Sequence, residues 1–133
     1  MTELLGVLET ALYTADLDAA ADFYARVLGL EIESQVDGRH VFLRCGDGML
    51  LVFDPRATSR ATGPVPAHGA TGPAHVAFAV ADGSLDAWAA RLRDHGVEIE
   101  ADVAWPGGGR SIYFRDPAGN SLELTTPRIW GIT

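Results

Sequence analysis

Apolar and polar positions along this chain follow one pattern twice. Residues 5–14 alternate, with Leu8 and Leu12 on one face and Glu9, Ala11 and Tyr13 on the other, which predicts a strand. Asp16 then stands where a helix N-cap belongs. Leu17, Ala20, Ala21, Tyr24 and Val27 or Leu28 recur at helical spacing until Gly29 stops the run. Three strands are predicted over 30–36, 40–44 and 49–53, separated by Asp37-Gly38 and by Gly46-Asp47-Gly48. From residue 74 the order restarts, with a strand over 74–80, a helix over 85–95 closed by Gly96, and a strand over 97–103. A hairpin over 110–125 closes the pattern, turning at Asp116-Pro117-Ala118-Gly119-Asn120, where Pro presets φ and Gly permits a positive one.

The two halves agree in detail. Leu17-Asp18-Ala19 and Leu85-Asp86-Ala87 both open a helix, and Gly29-Leu30-Glu31-Ile32-Glu33 and Gly96-Val97-Glu98-Ile99-Glu100 both follow one. The chain therefore reads as a duplicated βαβββ unit. A single unit has an open strand edge and a half-exposed sheet face, so pairing two of them buries both. The expected class is α+β, two tandem βαβββ modules whose curved mixed sheets form an open barrel-like cleft. All 133 residues fall in one domain, with module 1 over about 5–54, a loop over 55–72, module 2 over about 73–126 and a tail over 127–133. The stretch 54–73 carries four prolines and little to bury, which marks a functional loop or lid.

Face parity picks out the candidate chemistry. In the closing hairpin Leu122 and Leu124 face one way and Ser121, Glu123 and Thr125 the other, which leaves Glu123 as a carboxylate fixed on a strand surface. Laying copy on copy by the glycines before the last strands, Gly48 and Gly119, sets Val52 opposite Glu123; the first strands set Glu9 opposite His75. His75 shares its face with Ala77 and Ala79, while Val76, Phe78 and Val80 take the other. If the sheets curve around a cleft, Glu9, His75 and Glu123 converge there. Two carboxylates and an imidazole gathered in one place repel or desolvate one another unless they share a cation. One nitrogen and hard oxygen donors suit Mn²⁺, Fe²⁺, Zn²⁺, Ni²⁺ or Co²⁺.

Composition narrows the classes. A net charge of −8 argues against nucleic acid and anionic membrane as partners. All ten basic residues are Arg, so Schiff-base chemistry and a P-loop lysine are excluded. The lone Cys45 forms no intrachain disulfide, and no apolar run approaches a membrane span, so a cytoplasmic location is expected.

The duplicated unit, the Asp16-Leu17-Asp18 to Phe23-Tyr24 to Leu28-Gly29-Leu30 signature, the Gly72-Pro73-Ala74-His75-Val76-Ala77-Phe78 strand and the turn from Tyr113 to Asn120 before Leu122-Glu123 closely resemble the vicinal oxygen chelate superfamily. That superfamily includes glyoxalase I, extradiol dioxygenases, fosfomycin-resistance proteins and metal-free bleomycin-resistance proteins. The resemblance implies metal ligation by His75 and Glu123. Position 9, usually His or Gln in metal-binding members, is Glu, and position 52, a ligand in glyoxalase I, is Val. A Thr and a Lys expected of fosfomycin-modifying members are missing, with Ala11 at the Thr position.

The resulting expectation is a small metal-dependent enzyme, of lyase, isomerase or dioxygenase chemistry, acting on an oxygen-chelating small molecule. Glu9, His75 and Glu123 are its metal ligands, and Glu9 and Glu123 its catalytic carboxylates. Tyr13, Trp105, Arg110 and Tyr113 are the candidate pocket residues, and the resemblance implies a homodimer. The competing expectation is a metal-free drug-sequestering protein of the bleomycin-resistance type. His40 and His95 read as structural; His68, in the loop, is kept as a lid histidine.

Overall fold

The computed structural model describes residues 2–60 and 63–132; residues 61 and 62 of the expected loop, with Met1 and Thr133, lie outside the described residues. The chain divides into two compact units, Met1–Thr71 and Gly72–Thr133. The first contains β1 (Glu9–Tyr13), helix α1 (Leu17–Asp22) running into a π-helical turn (Phe23–Val27), β2 (Glu31–Val36), β3 (His40–Cys45), β4 (Gly48–Phe53) and a short helix α2 (Pro55–Thr58). The second contains β5 (His75–Ala79), helix α3 (Leu85–Asp94), β6 (Ala101–Ala104), β7 (Arg110–Arg115), β8 (Ser121–Thr125) and a 3₁₀ turn (Pro127–Trp130). The sheets have matching orders, β1-β4-β3-β2 and β5-β8-β7-β6. In each the outer first strand runs parallel to the last, and the other pairings are antiparallel. The fold is α+β, two mixed four-stranded sheets built by the same βαβββ order.

Each unit has its own core. Leu12, Tyr24, Val27, Val41, Leu43, Leu50 and Val52 are fully buried in the first; Leu92, Ile112, Phe114, Leu122 and Leu124 are in the second. Burying a side chain of this size contributes about 1.5–3 kcal/mol. Asp16 caps α1 by accepting a 3.0 Å hydrogen bond from Ala19 N, as its position predicts. Among the described residues no helix is long and apolar enough to cross a membrane.

The structure differs from the sequence expectations at identifiable places. β1 starts at Glu9 and not at residue 5, leaving Leu4, Leu5, Val7 and Leu8 exposed, with Leu8 O accepting from Met49 N at 3.0 Å beside the sheet. β6 starts at Ala101 and not at 97, because Val97 N is spent on Leu92 O, 2.9 Å away, in closing α3. Helix α2 falls in a stretch expected to be loop. Its signal was present: Asp54 accepts from Arg56 N at 2.9 Å as an N-cap, and Pro55 follows at the first helical position.

Strand register also corrects the copy-on-copy alignment. Glu9 pairs with Met49 and Ala11 with Leu51, as His75 pairs with Ser121 and Ala77 with Glu123. The counterpart of Glu123 is therefore Leu51. Val52 corresponds to Leu124, and both are buried in a core. The offset comes from the turns: four residues lie between Arg44 and its partner Met49, five between Arg115 and its partner Ser121. Gly119 is thus one position out of step with Gly48.

Candidate functional site

In the second unit the closing hairpin is fixed from both ends. Asp116 Oδ1 accepts from Ala118 N (3.0 Å) and Asn120 N (2.9 Å), and Asp116 Oδ2 accepts from Asn120 Nδ2 (2.9 Å). Asn120 Oδ1 in turn accepts from Ala74 N at 2.8 Å, tying the turn to the residue before His75. Gly119 adopts φ +84°, the left-handed conformation that the turn needs. β8 is thereby held in register beside β5, and His75 and Glu123 meet. His75 Nε2 lies 3.4 Å from Glu123 Oε1, with the imidazole half exposed (51%) and the carboxylate buried (8%).

The other ring nitrogen is already committed. His75 Nδ1 is 2.9 Å from Ser121 O, and only a protonated Nδ1 can donate to a carbonyl. Nε2 then faces a carboxylate oxygen, an approach that a proton or a metal cation between the two atoms makes favourable. A ring N–H anchored on a backbone carbonyl is the usual outer support of a metal-binding histidine. Two donors about 2.0–2.2 Å from one ion at tetrahedral to octahedral angles stand roughly 3.0–3.5 Å apart, so the pair fits a divalent ion. Among the described residues no group of three or more His, Cys, Asp or Glu is gathered for such an ion.

Tyr113 lies opposite Glu123 on β7, and its ring is 6.4 Å from that of His75. Burial, then the Glu123 charge and hydrogen bond, push the phenol above its ordinary value, with Ser111 opposing. A cavity of about 390 Å³ opens over this face, lined among others by Ala77, Tyr113, Glu123, Trp105, Ile129 and Trp130. Its Trp105 wall is anchored: Trp105 Nε1 donates to Ser111 Oγ (2.9 Å), which donates to Thr125 Oγ1 (2.7 Å). The glycine run behind Trp105 is explained by close approach. A Cβ on Gly109 (φ +91°) would collide with Ile129 Cγ2 and come within 2.9 Å of Thr126 Oγ1.

Not every sequence candidate is at this site. The Arg110 guanidinium is held by Asp102 (2.8 and 2.7 Å) and Asp86 (2.6 Å) and is absent from the cavity lining; it clamps α3 to the β6/β7 edge. Glu9 and Tyr13 belong to the first unit, where Glu9 is exposed on β1 and the Tyr13 hydroxyl is 2.6 Å from His68 Nδ1. His40 is buried against Phe42, ring centroids 3.7 Å apart. Ile129 was not among the pocket candidates, and Trp130 reads from sequence as either a cap on an apolar substrate or an interface residue; both line the cavity through the 3₁₀ turn that begins at Pro127, with Arg128 paired to Asp82 at 3.1 Å.

The match to the protein-family model for the glyoxalase/bleomycin resistance protein/dioxygenase superfamily runs over residues 6–124. The chain belongs to that superfamily. Among solved structures, the crystal structure of a lactoylglutathione lyase from Agrobacterium tumefaciens is 44% identical, covers 98% of this chain and 100% of its own, and superposes with a TM-score of 0.94. A glyoxalase/bleomycin resistance protein/dioxygenase from Nocardioides is 26% identical over 95% of this chain and 85% of its own, with a TM-score of 0.75. Metallothiol transferase FosB of Shouchella clausii (strain KSM-K16) is 41% identical over 59 residues, 39% of this chain and 37% of that protein, so the match spans little more than a third of the curated relative. As a superfamily member the chain has relatives that usually bind divalent metals and act on small molecules.

Proposed function

We propose that this chain is a divalent-metal-dependent enzyme of the glyoxalase type, acting on a small substrate that chelates through adjacent oxygens. The observation that carries the reading is the His75–Glu123 pair, with Nδ1 committed to Ser121 O and Nε2 turned to the carboxylate at 3.4 Å. Glu9 is the third donor in this reading, brought to the pair when two copies of the chain assemble a homodimer. Exposed Leu4, Leu5, Val7 and Leu8 beside β1 give such an assembly apolar surface to cover. A bound ion supplies Lewis acidity for oxyanionic charge on the substrate.

The chain's own residues do the rest. Glu123, buried and facing Tyr113 across the strand pair, orients the ligand set. Trp105, Ile129 and Trp130 receive the apolar part of the substrate and keep water from it. Glu9 accepts the substrate proton as general base. The identity to a lactoylglutathione lyase favours lyase chemistry over dioxygenation. The test is elemental analysis of the purified protein with calorimetric titration of Mn²⁺, Ni²⁺, Zn²⁺ and Fe²⁺. Saturable binding lost in Glu123→Ala supports the reading; titrations that do not distinguish this variant from the parent would sink it.

A metal-free drug-binding role is the second reading, favoured by the largely apolar cavity walls and by Leu51 where the first copy would need a ligand. Tight binding of an aromatic ligand that survives chelator treatment would select it.

A further inference from the structure

We propose that the first unit carries a separate binding site for a small oxyanion, a carboxylate or a phosphate, with Arg39 and Arg60 as its anchors. A hollow of about 270 Å³ lies beneath the loop after β4, lined among others by Arg39, Thr58, Arg60, Pro64, Pro66 and His68. No acidic side chain among the described residues lines it. That is unexpected in a chain with 18 acidic and ten basic residues. Six arginines are ion-paired, namely Arg26, Arg44, Arg56, Arg110, Arg115 and Arg128. Arg39 and Arg60 have no carboxylate partner among the described residues, yet they share one hollow.

The surroundings position Arg39 and close the loop that carries Arg60. Arg39 Cζ lies over the Phe53 ring, 5.6 Å from its centroid, and Nη1 bonds His40 Nδ1, so part of its fork is already positioned. His68 N donates to Thr58 O at 2.9 Å, closing the loop on itself. The Tyr13 hydroxyl meets His68 Nδ1 at 2.6 Å; with the phenol as donor, a neutral ring keeps its proton on Nε2 and adds an N–H donor beside the two guanidinium groups. Planar forks of this kind match carboxylate and phosphate oxygens, and charge-assisted hydrogen bonds are the strong ones. The net charge of −8 repels anions at long range, so saturable anion binding has to come from such a local arrangement.

The hollow shares no lining residue with the cavity beside the His75–Glu123 pair and is tested without a metal or a turnover assay. Inorganic phosphate and succinate are titrated separately into the full chain at low ionic strength, by calorimetry and by amide chemical-shift mapping. Expected is one saturable site for at least one of them, with shifts concentrated in 57–60 and 63–68. Arg60→Gln, on an exposed side chain that folding does not need, weakens it by about tenfold, and Arg39→Gln by at least as much. Stronger phosphate binding identifies a phosphoryl group as the natural ligand, and stronger succinate binding a carboxylate. Absence of saturation with both probes, shifts confined to the second unit, or equal affinity in Arg60→Gln and parent overturns the proposal.

Discussion

The same sheet face is closed in the first copy and open in the second. At register-equivalent positions the first unit carries His40, Phe42, Leu51, Phe53 and Tyr13, and the second carries Ser111, Tyr113, Glu123, Thr125 and Ala79. In the first, rings fill the face: Phe42 and Phe53 lie 5.5 Å apart edge to face, and Phe53 lies 4.8 Å from His68. In the second, small and hydroxyl-bearing residues leave a cavity, and Glu123 stands where Leu51 would have sealed it. The opposite face shows no such divergence, since Leu50, Val52, Leu122 and Leu124 are all core. Duplication has kept the side of the sheet that holds the fold and varied the side over which the cavity opens.

The largest expected effect comes from erasing that difference. Glu123→Leu gives the second copy the residue of the first, and divalent-ion affinity measured by calorimetry is expected to fall well beyond about 100-fold while far-UV circular dichroism stays native. The core sides make the converse test. Leu50→Ala and Leu122→Ala remove equivalent buried side chains, each expected to cost about 2–5 kcal/mol in urea unfolding; a difference above that spread would show that the two cores are not alike. Gly109→Ala, at φ +91° and against Ile129, is expected to cost about 1–3 kcal/mol and to loosen the cavity wall, whereas Gly38, which precedes β3 as Gly109 precedes β7, has nothing within 4 Å of where its Cβ would stand.

The smallest effect is a pH dependence confined to the first copy. Burial, with the Arg39 charge, holds the His40 imidazole below its ordinary 6.5. The folded state therefore binds fewer protons there than the unfolded state. The stabilising contribution is present above pH 6.5 and is lost as pH falls from that value through the lower folded one. In thermal melts from pH 7.5 to 5, this slope should disappear in His40→Gln. Its persistence would assign it elsewhere.

Much of this was legible in the chain. The helix-opening triplets at Leu17 and Leu85 and the glycines at 29 and 96 revealed the duplication, because caps and stops are local chemistry. Even a repeated ion pair follows, Arg44 with Glu33 and Arg115 with Glu100, both at 2.7 Å. His75 and Glu123 were legible through strand parity. The partner of Glu123 in the other copy was not, since a turn longer by one residue shifts every glycine-based alignment and, at a period of two, moves the match to the wrong face. Arg110 was placed in the pocket from its sequence neighbours, but its guanidinium is taken by Asp102 on the neighbouring strand and by Asp86, 24 residues away on α3. Ile129 and Trp130 depended on a tail that turns back, which no periodicity announces.

The cavity wall also gives this protein a built-in reporter. Two of its three tryptophans, Trp105 and Trp130, flank the space beside Glu123, and the third, Trp88, sits on α3. The Trp105 indole is pinned by its hydrogen bond to Ser111, while the Trp130 ring is largely open to water. An occupant would therefore quench or blue-shift intrinsic emission on arrival, so that unlabelled protein can be screened against compound collections by light alone.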